Sequence, residues 1–178
     1  EVIDDLLEDK IKTELPDLMR NTGIDMWVVV SREYNEDPVI ETLLPATWLA
    51  ARRRTILVMH DLGGDKGVET LAVARYDVGT TFKKAWDKEK EPDQWKRLKE
   101  IIEERDPKKI GVNQSKDWGL ADGIVATDLQ EMNRRLNDWI RQNVEESYIV
   151  CGHSLGGKVA MAHACNESSR LLGLVVVD

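Results

Sequence analysis

The sequence predicts an α/β protein with three layers, α/β/α, around a mixed sheet of five to six strands. Three observations predict it. Short apolar runs rich in β-branched residues, such as "IDMWVVVS" and "LLGLVVV", read as buried strands. In the second half such runs alternate with amphipathic helical patterns, which demands parallel strands joined by right-handed crossovers. The runs "RTILVMH" and "VETLAVARY" are joined only by the Gly-rich "DLGGDKG". That is too short for a crossover, so these two strands form an antiparallel hairpin.

The elements follow in order. Val2, Ile3, Leu6, Leu7 and Ile11 recur at helical spacing. Pro16 interrupts and opens a short second helix, which Gly23 closes. "IDMWVVVS" is the first strand. Residues 33 to 52 hold two prolines and read as loop with a helical turn or two around Trp48. The hairpin comes next. Residues 77 to 91 read as a charged excursion carrying Phe82 and Trp86. Pro92 and Asp93 open a helix whose apolar face is Trp95, Leu98, Ile101 and Ile102, and Pro107 ends it. "KIGVN" is a strand and "SKDWGLADG" a loop. Thr127 caps a long helix through Val144, striped by Leu129, Met132, Leu136, Trp139 and Ile140. "YIVC", a helix over residues 154 to 166, and "LLGLVVV" complete the chain.

The 178 residues fit one domain, or one large domain with an extension, and at 42 % hydrophobic they can bury a core. The net charge of −8 excludes general binding to nucleic acid or anionic membranes, which needs a basic footprint. Arg52-Arg53-Arg54, the only tight basic cluster, reads as a solvated strand entrance rather than an anion site. No apolar run approaches the roughly 20 residues of a membrane span. The acidic N-terminus is no signal peptide, and the missing initiator Met implies a trimmed or recombinant chain. Cys151 and Cys165 show no framework spacing. They are expected reduced, largely buried and in a cytoplasmic setting, with no metal and no cofactor.

"YIVCGHSLGGKVAMAHAC" carries the chemistry. A G-x-S-x-G pattern alone arises in a chain of this length about one time in twenty. Here it lies between a predicted strand and a predicted helix, as a nucleophile elbow requires. The sharp turn strains the backbone of Ser154. Gly152 and Gly156 then supply the small residues two before and two after it, and Gly157 allows close helix approach. Ser154 would stand at a helix N-terminus that favours negative charge, and the Leu155 amide would donate to an oxyanion.

Two resemblances divide the chain. "LMRNTGIDMWVVV", "RRRTILVM", "VETLAVARYDVGTTFKKAWD", "EPDQWKRLKEIIEERDPKKIGVN" and "WGLADGI" resemble the N-terminal domain of the creatinase/Xaa-Pro aminopeptidase family, over about residues 12–133. The resemblance implies a three-strand meander followed by two further strands, in order 3-2-1-4-5. It implies no peptidase activity, because that family's metal-binding domain lies C-terminal to this one. It also favours a homo-oligomer. From about residue 134, "LNDWIRQNVEESYIVCGHSLGGKVAMAHACNESSRLLGLVVVD" resembles the central segment of an α/β-hydrolase. The join implies one α/β domain built as an engineered or designed chimera of 1–133 and 134–178.

A serine needs a base. In the hydrolase family the acid and the histidine follow the elbow, yet here no histidine follows the last strand. His153 adjoins the serine and points elsewhere. His163 is nine residues into the helix, about 13 Å along its axis. His60, in "VMHDLGG", resembles the start of a hydrolase oxyanion loop and is the candidate base. Against it, an antiparallel second strand would end at the opposite edge of the sheet from Ser154, about 17–20 Å away. Glu33, Asp117 and Asp178 are the acids that could assist. The expected function is weak acyl transfer, ester hydrolysis or covalent labelling by a small ester or organophosphorus probe through Ser154. The alternative is a non-catalytic scaffold or oligomerisation domain of the creatinase N-terminal type.

Overall fold

The computed structural model describes residues 2–34, 36, 38–115, 123–153, 160–161, 163–165 and 170–177. The chain forms two compact units, Glu1–Asn113 and Gln114–Asp178.

The first unit opens with α1, Val2–Thr22, a single helix with Pro16 inside it. The expected break at Pro16 does not occur. An interior proline costs a helix about 3 kcal/mol. Leu7, Ile11, Leu15 and Met19, one turn apart, are all buried, and Pro16 is buried with them. At roughly 1.5–3 kcal/mol per buried large apolar side chain, the stripe outweighs the break. Gly23 does end the helix, at φ +65°. Its N–H donates to Arg20 O, and that of Ile24 to Met19 O, a Schellman closure.

The strands of this unit are β1 (Met26–Arg32), β2 (Arg54–Asp61), β3 (Val68–Val73), β4 (Lys83–Lys84) and β5 (Ile110–Val112). They form one mixed sheet in the order β4-β3-β2-β1-β5. β2 and β3 make the expected antiparallel hairpin, and β1 lies parallel to β5. The short helix of the first loop is α2, Pro38–Glu41, earlier than the turn expected around Trp48. Leu7, Ile11, Leu15 and Met19 of α1, with Ile40 of α2, pack on Val29, Leu57, Met59 and Ala72 of the sheet. In-register Val28–Val58 and Val30–Ile56 point the other way and are equally buried. On that side lies α3, Gln94–Arg105, whose Gln94 and Arg105 bond to β2 and β3 residues. The unit is therefore three-layered.

Asp93 caps α3, accepting from the N–H groups of Trp95 and Lys96, and Asp106 ends it in a left-handed conformation before Pro107. Past β5, the buried Asn113 side chain accepts from Val30 N and donates to Val30 O, continuing the ladder where the strand stops.

β4 falls within the stretch expected to be a charged excursion. Two exposed lysines carry no apolar signal. Its anchor is next door: Phe82 is fully buried and pairs with Val78 across a tight turn. Gly79 sits in that turn at φ +62°, and a Cβ there would come within 2.9 Å of the Pro45 side chain. Lys83–Lys84 thus adds an edge beyond β3, while the expected run 3-2-1-4 of the first four predicted strands is kept as β3-β2-β1-β5, and "YIVC" belongs to a separate sheet.

In the second unit, α4 spans Ala126–Asn143. It begins with Val125 at the cap position and no side-chain cap, so Thr127 lies inside its first turn. β6 (Tyr148–His153) and β7 (Leu171–Val177) pair in parallel, as expected, in a two-stranded sheet of their own. Helical residues 160–161 and 163–165 lie between them. Both cysteines are free thiols, but both are exposed rather than buried. Alternation explains Cys151, which shares the outward side of β6 with Ile149, 63 % exposed. Helical periodicity explains Cys165, one turn after the exposed Met161. Among the described residues, no helix is long and apolar enough to cross a membrane.

Candidate functional site

The "GHSLGG" stretch begins at the C-terminal end of β6. Residues 152 and 153, Gly152 and His153, are the last two of that strand, paired with Val176 and Val177 of β7. Parallel neighbours cannot be joined by a tight turn, so the segment between them is a crossover. Its helical residues 160–161 and 163–165 stand where an elbow's following helix would be. Ser154, Leu155, Gly156 and Gly157 lie outside the described residues, as do the acid candidates Asp117 and Asp178.

A polar network ties the helical residue His163 to β6 and α4. His163, 1 % exposed, reaches β6 and α4 at once. Its Nδ1 is 2.6 Å from Asn137 Oδ1, and its Nε2 is 2.7 Å from the Tyr148 hydroxyl. An amide oxygen only accepts, so Nδ1 carries the proton. In the neutral ring Nε2 then accepts from Tyr148. Both nitrogens are engaged, which makes His163 a structural helix-face residue, as its distance along the helix led one to expect.

His60 belongs to the first unit. β2 runs antiparallel to β1, and His60 stands opposite Glu69 on β3. Its Nδ1 lies 3.9 Å from Glu69 Oε2 and makes no hydrogen bond. Glu69 is gripped by the two-pronged guanidinium of Arg105, at 2.5 and 2.9 Å. That pairing holds the Glu69 carboxyl below the usual carboxylate range, with a smaller contribution from His60. Glu69 is thus held by Arg105 rather than hydrogen-bonded to His60, so it does not orient the imidazole as a triad carboxylate would.

Glu33, the other acid candidate, is occupied. Its Oε2 accepts from Arg53 N at 2.8 Å, and its own N–H donates to Arg53 O at 2.6 Å. Among the described residues no group of three His, Cys, Asp or Glu could hold a metal ion.

Sequence reasoning missed a cavity of about 950 Å³ in the first unit, lined in part by Arg32, Arg52, Arg54 and Arg75. The only signal for it was the arginine triplet. Two of the partner arginines are distant in sequence and come together only once the strands are in register.

Comparison with known proteins gives one partial match. The chain is similar to a 2-succinyl-6-hydroxy-2,4-cyclohexadiene-1-carboxylate synthase of Pectobacterium atrosepticum, 37 % identical over 59 residues. The match spans 33 % of this chain and 23 % of the synthase, so the chain covers under a quarter of its relative. No family model matches the chain, and no solved structure does.

Proposed function

We propose that the second unit carries a serine-nucleophile elbow that performs slow acyl transfer from activated esters and is phosphonylated by organophosphorus probes. Ser154 Oγ attacks the ester carbonyl carbon, the Leu155 amide donates to the oxygen that becomes negative, and collapse of the adduct breaks the ester C–O bond and releases the alcohol, leaving the acyl group on Ser154. The observation that carries this reading is the parallel pairing of β6 and β7 around a helical segment, with "GHSLGG" at the end of β6. The partial likeness to the synthase supports the same α/β-hydrolase-type reading. The reading includes the unusual join. Residues 1–133 are of creatinase N-terminal origin and 134–178 of hydrolase origin, brought together in an engineered chain.

The proton on Ser154 Oγ must go to a base as the bond to carbon forms. His163 does not serve, because both its nitrogens are taken. His60 is the base candidate, with Glu69 beside it. Deacylation needs a base a second time, to activate water, so a poorly placed one leaves the acyl-enzyme long-lived. The test is labelling by a fluorophosphonate, followed by mass spectrometry. The expected result is slow, single-site labelling that Ser154→Ala abolishes. Loss of labelling in His60→Ala as well would establish His60 as the base; retention would leave the reaction to the elbow alone. A wild-type chain that never labels would favour the rival reading, a non-catalytic scaffold of the creatinase N-terminal type.

A further inference from the structure

Three neighbouring strands of the first unit place an arginine at the same end of the sheet. Arg32 ends β1 and stands directly opposite Arg54, which begins β2. Arg75 follows β3, two residues past the pair Ile56–Val73. Like charges directly opposite one another on adjacent strands oppose folding. Arg52 and Arg53 join them around the same cavity, and among the described residues Glu33 is the sole acid in its lining. Stability alone gives no reason to collect five guanidinium groups around one carboxylate.

The surroundings hold these arginines in place. Gln94, 5 % exposed, accepts from Arg54 Nε at 2.8 Å and donates to Arg54 O at 3.0 Å. The Arg54 guanidinium lies 4.8 Å from the Trp95 ring centroid. Arg52 lies 4.9 Å from that of Trp48, which meets Tyr76 edge-on at 5.5 Å. The Tyr76 hydroxyl donates to Arg52 O. Arg53 adopts φ +54°, a left-handed backbone rare for a side-chain-bearing residue, and Glu33 holds it there through both main-chain bonds. Strain of this kind gathers at ligand clamps. Stacked and hydrogen-bonded guanidinium groups are pre-organised, so little of their freedom is lost when an anion arrives.

Trp48, Tyr76 and Trp86 supply aromatic wall. The volume, about 950 Å³, lies at the upper end for small-molecule sites and far exceeds a bare oxyanion. We infer that this cavity is a binding site for a small phosphorylated ring compound, of about nucleotide-monophosphate size. The arginines take the phosphate dianion, through charge and bidentate hydrogen bonds. The aromatic wall takes the planar ring.

The test is calorimetric titration of the full chain with adenosine 5′-monophosphate, and with its two halves, adenosine and inorganic phosphate. The monophosphate should bind at least tenfold tighter than either half. Raising salt from about 20 to 200 mM should weaken it, since exposed charges are screened. The variant Arg52→Ala/Arg75→Ala should lose at least tenfold in affinity. Both side chains are exposed, and a circular dichroism melt checks that the variant folds. Lys66→Ala, in the hairpin turn at the other end of β2, should bind as wild type does. Equal affinity for adenosine and its monophosphate, no binding at millimolar concentration, or a folded double variant that binds unchanged would each overturn the inference.

Discussion

Replacing His163 by Phe separates a structural histidine from a catalytic one. The phenyl ring fills the space of the imidazole and removes both of its hydrogen bonds, to Asn137 and to Tyr148. Each such bond is worth about 1 kcal/mol net, and a stranded buried partner costs about 1–3 kcal/mol more. Here both partners are only half-buried, so water partly replaces the ring. The loss is therefore ~2 kcal/mol, about a thirtyfold shift in the opening equilibrium of the second unit. Amide hydrogen exchange read by mass spectrometry on the intact chain measures it locally. Peptides from α4 and β6 should exchange about thirty times faster, while those from β1 to β3 provide the reference. Fluorophosphonate labelling of the folded variant should persist. Unchanged exchange together with lost labelling would refute the argument and place His163 in the reaction.

Other outcomes follow from the same contacts. Phe82→Ala removes a fully buried side chain that anchors β4, and urea unfolding should show a loss of ~3–5 kcal/mol. Asp93→Ala removes the cap of α3 and should cost ~1 kcal/mol by the same measurement. Glu131 accepts two bonds from Arg134 and one from Arg135, and Arg134 chiefly holds its carboxyl down to about 2. A depressed folded value stabilises the fold above the unfolded value of about 4.5, and that contribution fades as pH falls toward 2. The cluster is largely solvated, so its worth is at most ~1 kcal/mol. Glu131→Gln should therefore narrow its stability gap to wild type between pH 4.5 and 2, in urea melts across that range.

Local chemistry was legible in the sequence wherever one residue type decides the geometry. Gly23 marked a helix end, Asp93 a cap, and "DLGGDKG" a hairpin. Reading failed where tertiary burial overrides a local rule. Pro16 breaks helices by local physics, yet here the buried stripe on either side keeps α1 whole. β4 offered only two lysines, because its hold on the sheet comes from a neighbour, Phe82. The cysteines were misjudged on average tendencies, where periodicity along β6 and the helix turned both outward. On the site, the order strand, helix, strand was readable from the residues. The partners of His163 were not, since Tyr148 and Asn137 meet it only after β6 and α4 have packed. The arginine cavity was invisible for the same reason: register, not spacing, aligns Arg32 with Arg54.

The two-residue strand Lys83–Lys84 has a consequence for how copies of this chain meet one another. It lies at the outer margin of the five-stranded sheet, where unpaired main-chain groups would otherwise invite a strand from another molecule. An intruder there must settle beside two ammonium groups and find only two residues to pair with. The Leu71–Ala72 margin of β3 is thereby covered once Phe82 has seated. Until it has, that margin is bare, and a crowded solution of refolding chains offers it many suitors. The slow risk for this protein is then aggregation during folding rather than in the folded state. A weakened Phe82 anchor should show itself as precipitate on refolding before it shows itself in a melting curve.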